Sequence, residues 1–263
     1  MEIESLFLSD VHLGSRHSKT DRLLDFLTKL HKKSNPKRIV ILGDFVDGWK
    51  LQRSWYWNNE STLIIRKLFS CIEEGTEIIY VAGNHDEFLR QFCEEHRAVF
   101  GNIRITNEDC FVTKDGRRLL LTHGDQFDKV VRYAKWLSIL GMIGYELLLH
   151  ANSIVNRIRR WFKLPYWSLS KKIRREVKQA VSYLSDFEHC LSDYAKTRGY
   201  DGVICGHIHH QEAKKINGIE YYNTGDWVEN CSVIVELSDG RLEVVNALEQ
   251  NIEDLLDVGH REL

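Results

Sequence analysis

The chain has 263 residues, 43% of them hydrophobic and 28% charged, with a formal net charge of −2. That is enough for one large domain, or a domain carrying an insertion, whose core needs neither disulfides nor a structural metal. The six cysteines lie far apart with no CxxC pair, which argues against a zinc ribbon or a secreted disulfide scaffold and reads as reduced core thiols.

In chain order, residues 3–8 read as a strand and 21–31 as an amphipathic helix built on Leu23, Leu24, Leu27 and Leu30. A second strand follows at 38–42, a helix at 60–73 closed by Gly75, a strand at 77–82 and a short helix at 87–96. This alternation favours a largely parallel or mixed sheet with helices packed outside. Beyond residue 100 the pattern becomes short strands at 111–112, 118–122, 201–205, 219–223, 232–237 and 242–245, with turns at Gly116, Gly218 and Gly240. Two face-to-face sheets with helices outside summarise the pattern.

Residues 129–195 interrupt it as a helical insertion. Within 129–180 twelve Lys or Arg face only Glu146 and Glu176, a local balance of +10 that leaves −12 for the rest of the chain. Such asymmetry marks a separate task for the insertion. Trp136 to Leu149 is apolar almost all round, which suits a buried helix or a lid. Arg157 to Lys163 then interleaves cations with Trp161 and Phe162.

Five blocks carry chemistry: Asp10-Val11-His12, Gly43-Asp44-Phe45-Val46-Asp47, Gly83-Asn84-His85-Asp86, His123-Gly124-Asp125 and Gly206-His207-Ile208-His209. Each follows an apolar strand, and strand ends are where sheet proteins gather site residues from distant parts of the sequence. A lone D-x-H or H-x-H is weak evidence, because a single histidine is more often a packed or surface residue. Five blocks, each after a strand, are strong evidence. Asp, His and Asn offer hard oxygens and borderline nitrogens, suited to Mn²⁺, Fe or Zn²⁺ rather than Ca²⁺. A carboxylate such as Asp44 can bridge two ions about 3.5–4 Å apart, a pair that neutralises phosphate oxygens and acidifies a water. Aromatic residues Tyr221, Tyr222 and Trp227 near the last block read as packing.

The set D-x-H, G-D-x-x-D, G-N-H-D, H-G-D, G-H-x-H resembles the calcineurin-like metallophosphoesterase superfamily over most of the chain outside the insertion. Within it, Leu42 to Phe45 continuing to Trp49, the insertion between the fourth and fifth blocks, and the length are similar to the UDP-2,3-diacylglucosamine hydrolases of lipid A synthesis. The resemblance implies a single metallophosphoesterase domain over 1–263, an α/β fold of four α/β/β/α layers, with a helical lid over 129–195. It implies two divalent ions, expected to be Mn²⁺ with Fe or Zn²⁺ as alternatives. One would be held by Asp10, His12, Asp44 and His209, the other by Asp44, Asn84, His123 and His207. His85 stands where those lipid A enzymes carry Arg. In the wider superfamily that histidine protonates the leaving oxygen or stabilises the transition state, and Asp86 is expected to orient it by accepting a ring N–H.

The implied reaction is hydrolysis of a phosphoester or pyrophosphate bond. The implied substrate is a UDP-linked acylated sugar, touched by Asn84, Arg157, Arg160, Lys171 and Arg174. Basic helices with Trp and Phe also suit an anionic lipid surface. No apolar run reaches the ~18 residues of a membrane span, and MEIESLFLSD turns acidic too early for a signal peptide. A cytoplasmic protein, peripheral on the inner membrane face through its lid, is therefore expected. Alternatives are a phosphodiesterase or phosphatase for nucleotides or small molecules, a nuclease, and a non-catalytic scaffold. A nuclease of the double-strand-break type would carry a larger capping domain than the roughly twenty residues after the last predicted strand. Seven intact ligand candidates argue against the scaffold.

Overall fold

A computed structural model describes residues 2–93, 98–127 and 184–249. The chain divides into two compact units, Met1–Asp125 with Leu191–Leu263, and Gln126–Cys190. The first unit holds two sheets. One has seven strands in the order β12-β11-β1-β2-β3-β5-β4, the other five in the order β6-β7-β8-β10-β9.

In the larger sheet β1 (Ile3–Leu8), β2 (Arg38–Leu42), β3 (Glu77–Val81) and β5 (Ile103–Thr106) run parallel. Antiparallel partners close its edges: β11 (Ser232–Leu237) and β12 (Leu242–Asn246) on one side, β4 (Ala98–Phe100) on the other. In the smaller sheet β7 (Arg118–Thr122), β8 (Gly202–Cys205) and β10 (Ile219–Asn223) are parallel, flanked by antiparallel β6 (Glu108–Val112) and β9 (Glu212–Ile216).

Strand side chains alternate between faces, and here the alternation feeds two cores. Leu6, Leu8, Ile39, Ile41, Ile78 and Tyr80 join Leu23, Phe26, Leu27 and Leu30 of α1 (Thr20–Lys33) and Ile64 and Leu68 of α3 (Asn59–Glu73). Phe7, Val40, Leu42, Ile79 and Val81 join Phe111, Leu119, Leu121 and Ile204 of the other sheet. Both faces are thus dry, which is why β1, β2 and β3 read as continuous apolar runs. From 184 to 197 the chain is helical; Leu191 and Ala195 are buried, and Tyr194 Oη donates to Glu108 of β6 at 2.9 Å. Two sheets flanked by helices are the observed architecture.

Several elements differ from the sequence reading. The short helix expected over 87–96 is a 3-10 helix at Glu87–Phe92, and residues 94–96 lie outside the described residues. The α2 helix (Gly48–Arg53) and strands β4, β5 and β9 were not expected. Strand β9, Glu-Ala-Lys-Lys-Ile, is a largely exposed edge, and edge strands carry charge instead of an apolar pattern. The expected lid over 129–195 lies outside the described residues as far as 183. In the second unit the rings of Phe127 and Phe187 meet edge to face at 6.3 Å.

Candidate active site

Each of the five blocks begins within three residues of the C-terminal end of a parallel strand: β1, β2 and β3 from one sheet, β7 and β8 from the other. Beyond the sheet, the first two blocks stay paired. Asp10 N–H donates to Gly43 O at 3.1 Å, His12 N–H to Asp44 O at 2.9 Å and Leu13 N–H to Phe45 O at 2.8 Å. Left-handed backbone then turns the side chains inward. Seven described non-glycine residues have positive φ, and five of them are Asp10, His12, Asp44, His207 and His209. Asp and His tolerate this region better than most residues, and such strain gathers at functional sites. Gly43, at φ +81°, lies so close to the His123 ring that any Cβ would collide with it.

The side chains fall into two groups that meet at Asp44. On one side stand Asp10 Oδ1, His12 Nε2, His209 Nε2 and Asp44 Oδ2. His209 Nε2 is 3.0 Å from Asp10 Oδ1, and His12 Nε2 is 3.7 and 3.8 Å from Asp10 Oδ1 and Asp44 Oδ2. On the other side, His123 Nε2 lies 3.5 Å from Asp44 Oδ1 and 3.2 Å from both Asn84 Oδ1 and His207 Nδ1. His123 Nδ1 donates to Leu42 O at 2.7 Å, which leaves Nε2 as the nitrogen facing this group. All seven sequence candidates are brought together, and the two carboxylate oxygens of Asp44 divide between the groups.

His85 is held differently from the expectation. Asp86, fully buried, does not reach its ring. The Asp86 carboxylate accepts from Phe45 N–H at 2.9 Å, Gly83 N–H at 2.5 Å and Tyr80 Oη–H at 2.5 Å, bracing the turn that carries Asn84 and His85. A negative group lodged among backbone donors suits this bracing role, not the orientation of an imidazole. The carboxylate beside the ring is Asp47, whose Oδ1 is 2.9 Å from His85 Nδ1 while it also caps α2 by accepting Lys50 N–H at 3.0 Å. Asp47 Oδ2 faces His12 Nδ1 at 3.4 Å.

Asp226 was also missed. It lies after β10, and its Oδ2 is 2.7 Å from His209 Nδ1 while Oδ1 accepts from the backbone N–H groups of Glu229 and Asn230. Its signal was present: Gly225-Asp226 follows a parallel strand as the other blocks do. Tyr221 and Trp227 are fully buried, as the packing reading expected. Arg157, Arg160, Lys171 and Arg174 lie outside the described residues.

The donor set fits cations. Asp10, Asp44, Asp47, Asp86 and Asp226 are all buried. Asp10 Oδ1, Asp47 Oδ2 and both ring nitrogens of His12 have no hydrogen-bond partner, which is costly for buried groups unless a ligand satisfies them. Burial alone would raise the Asp10 and Asp44 carboxyls, yet the facing histidines hold them below the usual range. Burial would lower His12 and His123; their carboxylate partners instead push them up to about 9 and about 10. Without a cation, protonated histidines supply the counter-charge to these carboxylates.

A calcineurin-like phosphoesterase family model matches residues 4–211. The chain is 24% identical to the UDP-2,3-diacylglucosamine hydrolase of Psychromonas ingrahamii, covering 92% of this chain and 97% of the relative. It is also 24% identical to a DNA polymerase II small subunit of Methanothermobacter thermautotrophicus, over 86% of this chain but 47% of that protein. Among solved structures, the E. coli phosphoesterase Yfce aligns at 18% identity with TM-score 0.47, covering 94% of each chain. With the matched region spanning all five blocks, the chain belongs to the calcineurin-like phosphoesterase family and is a metal-dependent phosphoesterase.

Proposed function

We propose that the chain hydrolyses the pyrophosphate of a UDP-2,3-diacylglucosamine-type substrate, giving UMP and an acylated sugar 1-phosphate. The observation that carries the hydrolytic part is Asp44, with one oxygen toward Asp10, His12 and His209 and the other toward Asn84, His123 and His207. These seven residues would hold two divalent ions, Mn²⁺ for preference. Bound there, the ions neutralise phosphate oxygens and make water acidic enough to attack near pH 7. The lipid part rests on the relatives, which align along almost the whole chain. Arg157, Arg160, Lys171 and Arg174 are assigned to the substrate and to an anionic membrane surface.

The chain's own residues contribute as follows. Asp47 accepts Nδ1–H of His85, which leaves Nε2 for the leaving oxygen. Water oxygen bonds to phosphorus, giving one proton to solvent, as the bond to the leaving oxygen breaks. The freed electron pair stays on that oxygen, which takes a proton from His85 Nε2.

His85 with Asp47 also favours a second reading, a phosphodiesterase for nucleotides or small molecules. An alkoxide leaves poorly without a proton, whereas a departing phosphate chiefly needs its charge neutralised. The test is turnover with Mn²⁺ of UDP-diacylglucosamine, a UDP-sugar without acyl chains, and single-stranded DNA. Activity confined to the acylated substrate supports the first reading. Equal rates on both UDP-sugars remove it, and DNA cleavage would replace it with a nuclease.

A further inference from the structure

Three consecutive residues at the start of α2 grip His85. Asp47 holds Nδ1, and Gly48 N–H donates to the His85 carbonyl at 3.0 Å. The approach is so close that a Cβ on Gly48 would sit 2.7 Å from that oxygen. The third contact belongs to neither the metal ligands nor the Asp47 hydrogen bond. The Trp49 indole lies over the His85 imidazole, ring centroids 4.3 Å apart and planes 35° from parallel. His12 meets the imidazole edge to face at 4.6 Å.

The indole is itself fixed, because Nε1–H donates to Glu87 Oε1 at 3.2 Å. That bond ties α2 to the 3-10 helix directly after the third block. Trp49 remains 37% exposed, although a tryptophan whose task was core packing would be covered, as Trp227 is at 0%. A single hydrogen bond at Nδ1 leaves an imidazole free to swing about that bond. A flat wall of indole removes this freedom at the cost of an exposed aromatic surface.

We propose that Trp49 is a positioning residue for His85, holding the imidazole plane so that Nε2 points at the leaving oxygen. This rests on the reading of His85 as the proton donor. Misalignment by a fraction of an ångström is enough to slow proton transfer without weakening substrate binding.

The test uses the Mn²⁺-loaded full chain and two diesters, the p-nitrophenyl and phenyl esters of thymidine 5′-monophosphate. The first leaving group departs without help; the second is more basic and needs a proton. Trp49→Ala is expected to lower kcat on the phenyl ester about tenfold with KM unchanged, and on the p-nitrophenyl ester less than about twofold. Trp49→Phe, which keeps a flat ring, should recover most of the loss. In a His85→Ala background Trp49→Ala should cost nothing further on either ester. Equal losses on both esters, or an additive loss in the double variant, would overturn the proposal.

A second readout needs no activity. In metal-free protein the His85 ring protons carry the ring-current shift of the indole, and Trp49→Ala should abolish it, whereas unmoved His85 resonances overturn the proposal. If His85→Ala itself slows both esters equally, the donor reading fails, and the resonance shift still reports separately whether Trp49 holds the ring.

Discussion

The two ends of the sheets bury carboxylates in opposite ways. At the N-terminal ends of the parallel strands, Glu236 is fully buried and fully answered: Ser5 Oγ donates at 2.7 Å, Lys114 N–H at 2.6 Å and Arg38 Nη2 at 3.3 Å. Nearby Glu4 bonds Lys37 and Lys114, whose hydrogen bonds hold its carboxyl below the usual range. At the C-terminal ends, Asp10 Oδ1 and Asp47 Oδ2 are equally buried but make no hydrogen bond, facing instead the ion-pair contacts of His209 Nε2 at 3.0 Å and His12 Nδ1 at 3.4 Å. The backbone carrying Asp10, His12, Asp44, His207 and His209 is left-handed there as well. The same chemical group is structural where its bonds close within the protein and functional where they await a ligand.

The strongest way to break this contrast is Asp44→Ala or His123→Ala. Each should abolish hydrolysis, a fall of more than ~10³-fold in kcat/KM, while leaving the protein folded. Metal analysis of the wild type should find near two ions per chain, and neither variant should hold both. Wild-type turnover in either purified variant would sink the two-ion assignment.

A subtler break is Asp226→Asn. The carboxylate lies behind His209 and touches no proposed ion. Its loss leaves the ring misaligned and less basic, so Mn²⁺ affinity should drop about 10–100-fold while kcat at saturating metal stays within a few-fold. Unchanged metal titration curves would show that Asp226 serves only the 228–230 turn. At the opposite end, Glu236→Gln keeps the shape and removes the charge that the Arg38 guanidinium and the Lys114 backbone N–H answer. It should cost about 1–3 kcal/mol of stability in denaturant melts and leave kcat/KM untouched. A reversed outcome, with activity lost and stability kept, would erase the distinction between the two ends.

Most of the first unit could be read from the sequence because both faces of β1, β2 and β3 are buried, leaving unbroken runs such as Arg38–Leu42 before each block. The site was legible for the same reason, since every block starts where such a run stops. What the sequence did not reveal depends on distance in space. Asp47 and Asp86 are equivalent neighbours of His85 on paper. Only the folded turn sends Asp86 back to Gly83, Phe45 and Tyr80 and brings Asp47 across from α2. Trp49 stands in the sequence only as a feature of the resemblance, and its place over the His85 ring emerges from the fold. Strand β9 has no apolar pattern because it is an exposed edge.

The smallest expected effect follows from the charge balance at the site. His12 and His123, ordinarily near 6.5, are pushed up to about 9 and about 10 by Asp10, Asp44 and Asp47. Groups whose folded pKa is raised stabilise the fold fully below the unfolded value, and this contribution is lost as pH climbs through the folded one. Metal-free protein should therefore melt at progressively lower temperature from pH 7 to about pH 9.5, and His123→Asn should flatten that decline. Metal requires neutral imidazoles, so an ion and these protons exclude one another. Loading Mn²⁺ near pH 7.5 should thus release about two protons per chain, one from each raised histidine, measured as the dependence of calorimetric heat on buffer ionisation. With the ions bound, the melting temperature should no longer follow this pH window. Heat independent of buffer would mean that the carboxylates at this end are answered in some way other than by proton or metal, and the contrast with Glu236 would fail at its origin.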